Sequence, residues 1–202
     1  REAILPGRFI FTEDRAYADD RYLRSDLATL KGKKVQAKRN HINRFRNTYP
    51  DYEYTPITPD RIQECLDLEA EWCKVNNCDQ QEGTGNERRA LIYALHNFEA
   101  LGLTGGILHV NGKIVAFTFG MPINHETFGV HVEKADTSID GAYAMINYEF
   151  ANRIPEQYIY INREEDLGLE GLRKAKLSYQ PVTILEKYMA CLKEHPMNMV
   201  KW

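Results

Sequence analysis

The chain has 202 residues, 43% hydrophobic and 27% charged, with a formal net charge of -3, the profile of one ordinary folded domain with an appendage or of two small ones. No run of about 18 apolar residues occurs, so no membrane-spanning helix is expected. The slight acidity argues against wholesale non-specific nucleic-acid binding but allows a local basic patch.

The chain starts Arg1-Glu2-Ala3, with neither Met nor a signal-peptide pattern, so a preceding portion of a longer protein is expected. Residues 8–12 predict a short strand, and residues 22–30 a short helical turn capped at Ser25. Lys31, Lys33, Lys34, Lys38, Arg39, His41, Arg44 and Arg46 then form the most basic stretch. Gln36 to Asn47 contains few helix breakers and predicts a mostly polar helix ended by Pro50. Tyr52 to Ile57 predicts a strand. Thr58-Pro59-Asp60 suits a helix start: threonine can cap, proline fits the first turn, and an early carboxylate favours the positive end. Ile62, Cys65, Leu66, Trp72 and Cys73 share one face of that helix. A polar loop is expected from Asn76 to Asn86. A second helix from about Glu87 carries the stripe Leu91, Ala94, Leu95, Phe98 and Leu101, and Gly102 stops it.

From Gly105 the hydrophobic period becomes that of strands. Ile107–Val110 and Lys113–Met121 flank Asn111-Gly112, a strong hairpin signal. Thr127–Glu133 follows, with Phe128, Val130 and Val132 alternating with Thr127, Gly129, His131 and Glu133, which completes a meander with one apolar face. A helix capped by Asp140 runs to about Asn152. Then come a strand (Tyr158–Ile161), a helix (Leu169–Tyr179) ended by Pro181, and a last strand (Val182–Met189). The pattern implies an α+β fold: a mixed, mostly antiparallel sheet with helices on both faces. Residues 1–50 read as an N-terminal segment with a basic helix, and residues 51–202 as the main domain. Cys65, Cys73, Cys78 and Cys191 show no C-x-x-C spacing and no paired histidines, so reduced cysteines and no metal site are expected.

This element order resembles the GNAT acyltransferase fold, in which the fourth and fifth strands splay apart around the donor. Shorter motifs narrow the resemblance: Lys38-Arg39-Asn40-His41-Ile42-Asn43, Glu133-Lys134-Ala135-Asp136, Gly141-Ala142-Tyr143, Ile161-Asn162-Arg163-Glu164-Glu165-Asp166-Leu167-Gly168 and Gly171-Leu172-Arg173-Lys174-Ala175-Lys176. They resemble a bacterial family similar to the C-terminal domain of phosphatidylglycerol lysyltransferases and, more distantly, to Fem-type transferases. That resemblance implies acyl or aminoacyl transfer to an amine or hydroxyl, with acyl-CoA or aminoacyl-tRNA as donor and no tightly bound cofactor. It also implies two GNAT-like halves, of which residues 1–50 hold the remnant of the first. The GNAT phosphate loop is reduced here to Thr137-Ser138-Ile139-Asp140-Gly141-Ala142, which favours aminoacyl-tRNA over acyl-CoA. The reduced cysteines expected above suit a cytoplasmic setting.

Acyl transfer needs an oriented carbonyl, a proton acceptor and donors for the oxyanion. Glu133, at the end of the meander, is the candidate base. His131 is the alternative, because its ordinary pKa already suits proton transfer near neutrality. Arg163, next to Asn162 in a polar strand end, has the fork to hold a phosphate or carboxylate. Arg173 and Lys176 are one helical turn apart, and the resemblance places Lys176 at the site. By the same motifs Lys134, Asp136, Gly141 and Tyr143 become donor- or substrate-binding candidates. The 31–46 segment, above all Lys38, Arg39 and His41, could contact RNA or an anionic lipid surface. Tyr17, Tyr22, Tyr143 and Tyr179 could line a pocket. Each has a plainer reading as a solvated charge, a surface ion pair or a half-buried ring. The competing hypothesis for the whole chain is a non-catalytic GNAT-like module that binds CoA or another nucleotide, RNA or a protein partner.

Overall fold

The computed structural model describes residues 7–76 and 82–193. In chain order its elements are β1 (Phe9–Glu13), β2 (Asp19–Leu23), α1 (Arg24–Thr29), α2 (Gln36–Thr48), β3 (Glu53–Pro56), α3 (Ile62–Asn76), α4 (Glu82–His96), β4 (Thr104–Val110), β5 (Lys113–Pro122), β6 (Thr127–Ala135), α5 (Ala142–Arg153), β7 (Tyr160–Asn162), α6 (Glu170–Leu177), β8 (Thr183–Leu185) and β9 (Tyr188–Leu192). Seven strands make one sheet in the order β3-β4-β5-β6-β7-β2-β8, and β1 pairs with β9 in a separate ribbon. Within the large sheet the β6–β7 pair is parallel and the others are antiparallel.

Each face of the sheet has its own core. Under α1, α2 and α5 lie Tyr22, Phe45, Leu108, Phe128, Met145 and Phe150. Under α3 and α4 lie Cys65, Leu91, Leu95, Ile107, Phe117 and Phe119. Helices cover both faces as expected; of the loop expected from Asn76 to Asn86, residues 77–81 lie outside the described residues and residues 82–86 already belong to α4. Asn111 (φ 52) and Gly112 (φ 73) both take the left-handed conformation that a two-residue hairpin demands, so Val110 faces Lys113 across the turn.

Four local expectations are corrected. The stretch from Asp19 is a strand, β2, and α1 begins at Arg24 without a side-chain cap from Ser25. Asp-Asp-Arg has low strand propensity, but Tyr22 anchors the strand in the core and Arg15 pairs with the fully buried Asp20. The expected last strand divides in two, because β8 pairs with β2 while β9 pairs with β1. Gly141, not Asp140, precedes the first turn of α5; Asp140 instead meets Arg44 at 2.5 Å and His41 at 3.3 Å. Cys73 is disulfide-bonded, whereas Cys65 and Cys191 are free.

A further correction concerns β6. Phe119 faces Val132 and Gly120 faces Val130, so His131 has no opposite residue on β5. This extra residue is a β-bulge, and it exchanges the two faces of the strand beyond it. Phe128 and Val130 enter the α5-side core, but Val132 enters the α3/α4-side core. Glu133 therefore lies on the α5 side with Phe128 and Val130, not on a polar face shared with Thr127 and Gly129. Strand β7 pairs with β6 only at Thr127↔Tyr160, Phe128↔Ile161 and Gly129↔Asn162. β7 ends there while β6 continues to Ala135, so the expected splay of two strands is replaced by a gap beside β6, called the splay below, where the chain turns away after Asn162.

The bulge sits opposite a tight spot. A Cβ on Gly120 would lie 1.8 Å from the Gly129 carbonyl oxygen. Gly120→Ala is thus expected to force β5 from β6 and to cost about 2 kcal/mol or more, read as a lower urea midpoint at unchanged slope.

Candidate functional site

The chain leaves β7 through a turn whose backbone is held on three sides. Glu164 adopts φ 60, a left-handed conformation that is costly for a residue with a Cβ and persists only where surroundings enforce it. The Asn162 carboxamide oxygen accepts the Glu164 N–H at 2.7 Å, and its NH2 group donates to Asp19 at 3.0 Å. The Asp20 N–H donates to the Glu164 carbonyl at 3.1 Å. From α6, the buried ammonium of Lys176 donates to three successive carbonyls: Arg163 at 2.6 Å, Glu164 at 3.1 Å and Glu165 at 2.6 Å. Tyr22 fixes the Lys176 backbone in turn, its hydroxyl donating to the Lys176 carbonyl at 2.9 Å.

The held turn delivers two side chains into the splay. Glu164 meets His131 Nδ1 at 2.6 Å. Arg163 donates to one Glu133 oxygen through Nε at 2.8 Å and Nη2 at 2.5 Å. The other Glu133 oxygen accepts from Asn147 of α5 at 3.0 Å. The Arg163 guanidinium lies 4.8 Å from the Tyr179 ring centre and 5.6 Å from that of Tyr22. Lys38 of α2 brings its ammonium to 4.3 Å from the same Tyr179 ring.

These contacts set the electrostatics. Burial works against the Arg163 charge, but Glu133 more than offsets it and the guanidinium is held firmly protonated. Burial lowers the pKa of both Lys38 and Lys176, and the nearby Arg163 lowers each further. Burial pushes the Tyr179 hydroxyl up to about 12.

The arrangement assigns different work to the predicted residues. Glu133 has both oxygens committed and acts as the counter-ion of Arg163. His131 sits at the bulge with Nδ1 held by the Glu164 carboxylate, which leaves Nε2 outside that pair. Lys176 is spent on backbone carbonyls and positions the turn. Arg173 forms a bidentate pair with Asp166, at 2.8 Å on both oxygens, and not with a ligand. Of the basic segment only Lys38 reaches this cluster. Arg39 donates to the carbonyls of Leu30 and Gly32, closing the end of α1, and His41 pairs with Asp140.

The remaining candidates lie elsewhere. Lys134 is buried on the opposite face, 2.9 Å from Glu87 and 3.6 Å from the Trp72 ring centre. Trp72 Nε1 donates to the Tyr143 hydroxyl at 2.8 Å. Asp136 accepts from the Ser138 N–H and hydroxyl and lines a cleft of about 580 Å3 with Glu64, Asp67 and Trp72. That cleft contains none of His131, Glu133 and Arg163. Gly141 (φ 85) lies where a Cβ would come 2.8 Å from the His41 carbonyl oxygen, so it serves the close approach of α2 to α5. Sequence reasoning did not single out Asn147 and left Glu164 within a polar cluster; the bulge that pairs Glu164 with His131 leaves no mark on local composition. Among the described residues no group of three or more His, Cys, Asp or Glu side chains could hold a metal ion, and no helix is long and apolar enough to cross a membrane.

Residues 2–191 match the family described as Phosphatidylglycerol lysyltransferase, C-terminal. The chain belongs to this family. A conserved protein of unknown function from Bacteroides thetaiotaomicron is 97% identical, with TM-score 0.92 over 95% of this chain and 65% of that one. Two solved structures share the lysyltransferase-type fold at low identity. The C-terminal domain of a putative lysylphosphatidylglycerol synthetase from Agrobacterium fabrum gives TM-score 0.66 at 14% identity, over 92% of this chain and 62% of that one. L-PGS from Bacillus licheniformis gives TM-score 0.61 at 17% identity, over 94% and 65%. An uncharacterized protein of Mycoplasmoides gallisepticum is 26% identical over 83% of this chain and 54% of its own length. The chain thus spans less than two thirds of these relatives. Membership places it in an aminoacyl-transferase-like family.

The Asp166 pairing makes a pH prediction. The hydrogen bond from Arg173 holds the Asp166 carboxyl below its ordinary pKa, aided by the Gly168 N–H and by Arg15. A depressed folded-state pKa stabilises the fold above the unfolded value of roughly 3.9, and that stability is lost as pH falls through the folded value. Asp166→Asn should therefore cost about 2 kcal/mol at neutral pH. The gap to the parent, followed by urea unfolding, should close as the solution is acidified below about pH 4.

Proposed function

We propose that this chain is the transferase portion of an enzyme that moves an aminoacyl group from aminoacyl-tRNA to an amine or hydroxyl acceptor in the cytoplasm, with His131 as the general base. The observation that carries the reading is the His131–Glu164 pair at 2.6 Å, placed by a bulge at the mouth of the splay. In this scheme the acceptor N–H or O–H gives its proton to His131 Nε2 as it attacks the ester carbonyl. The ester C–O bond then breaks, and the terminal ribose oxygen of the tRNA leaves with the proton that His131 returns. Glu164 stabilises the imidazolium formed in between and keeps Nδ1 protonated.

The start of α5 favours this donor over acyl-CoA. A phosphate cradle at a helix N-terminus needs exposed N–H groups. Here the α2 backbone, through the His41 carbonyl, is packed against Gly141, and Asp140 places a carboxylate beside it. Exposed Lys31, Lys33 and Lys34 supply cations for the RNA. Family membership supports the aminoacyl class of reaction.

The test is transfer by the intact protein from aminoacyl-tRNA and, separately, from acetyl-CoA to a panel of amines and hydroxyl lipids. His131→Gln should lower the rate by roughly a hundredfold or more, with Glu164→Gln intermediate and its pH–rate profile displaced. Full activity in both variants, or equal use of acetyl-CoA, would overturn the reading.

A further inference from the structure

Two cationic groups beside the splay have donors to spare. Arg163 spends Nε and Nη2 on Glu133, but Nη1 is buried and has no hydrogen-bond partner among the described residues. Its side chain is only 10% exposed. A buried charged donor left without an acceptor is strongly disfavoured unless a ligand or water completes it. Lys38 stands beside it, half-buried, and its ammonium is directed at the Tyr179 ring rather than at any acceptor oxygen. Glu133 compensates one of these two positive charges. Lys176 adds a third, already enclosed by carbonyls. Asp20 and Glu164 act on Lys176, so the charge left over is that of Lys38 beside the Arg163–Glu133 pair, with spare N–H donors near the Tyr179 ring.

We infer that Arg163 Nη1 and Lys38 Nζ form an oxyanion subsite that takes a phosphodiester group near the end of an RNA substrate. A phosphodiester has the two unesterified oxygens needed to accept from both side chains, and its single negative charge removes the repulsion between them. Lys38 supplies the entrance, since its flexible stem can leave the ring face while the Arg163 fork stays fixed by Glu133. The lysines at positions 31, 33 and 34 are exposed and immediately precede the helix that carries Lys38, which suits a polyanionic strand better than a lone anion. The inference rests on the transferase reading for the choice of RNA, but it makes a binding claim that holds independently of catalysis.

The experiment measures binding of a fluorescent RNA minihelix ending in CCA to the intact protein, with inorganic phosphate and acetate as competitors at equal ionic strength. Vesicles containing phosphatidylglycerol form a separate arm. Expected are saturable minihelix binding, competition by phosphate but not by acetate, and at least tenfold weaker binding in Lys38→Met, with the salt slope reduced by about 1. Arg163→Lys, which keeps the charge but loses the fork, should also weaken binding, and Lys38→Met covers the case in which the Arg163 variant does not fold. Unchanged affinity in Lys38→Met, or no competition by phosphate, refutes the subsite. Binding to vesicles but not to the minihelix refutes the RNA assignment. If RNA binding behaves as expected while no transfer is found with any donor, the catalytic reading fails and the subsite stands.

Discussion

One buried ammonium organises the site. Lys176 reaches from α6 to the carbonyls of three consecutive residues, and those residues carry both side chains that enter the splay. A lysine with three acceptors in a fixed array can stay charged in a dry place, although burial lowers its pKa. The same array keeps Glu164 in a backbone conformation it would not otherwise hold. Lys176, which the resemblance places at the site, is thus a brace in this fold.

The bulge at His131 is the second constraint, and it acts with the first. By adding one residue to β6 it turns Glu133 toward α5 and Arg163, and it sends Lys134 to the other face, against Trp72 and Glu87. Two neighbouring charged residues consequently serve different cores. Without the bulge Glu133 would share its face with Gly129 and lie off the Arg163 fork. The carboxylate pair of Arg163 and the imidazole pair of Glu164 therefore depend on one extra residue in one strand.

Much of the architecture was legible in the sequence because it rests on period and turn chemistry. The Asn111-Gly112 hairpin, the stripes of α3 and α4 and the order of elements follow from local rules. What could not be read depends on partners far away in the chain. Asp19–Leu23 looks too acidic for a strand until Arg15, Arg163 and Lys176 surround Asp20. The face of Glu133 could not be read because a bulge has no composition of its own. Arg39 and Arg173 looked like ligand contacts because a guanidinium suits phosphate and carboxylate alike. In the fold they close the end of α1 and hold Asp166. His131 was recognisable as chemically able, whereas its orienting carboxylate lies in a separate turn.

The place of β2 has a consequence for how the molecule assembles. It lies between β7 and β8, so residues 21–23 must find residues 160–162, and residues 19–21 must find residues 183–185. Such distant pairings are entropically expensive to close and slow folding. The β3–β6 meander, built from neighbours apart from β3, can form early, with β2 waiting for the C-terminal strands. Lys176, Asp20 and the 163–165 turn meet only at that last step. The braced turn is thus assembled late, and during synthesis it stays incomplete until β8 has emerged.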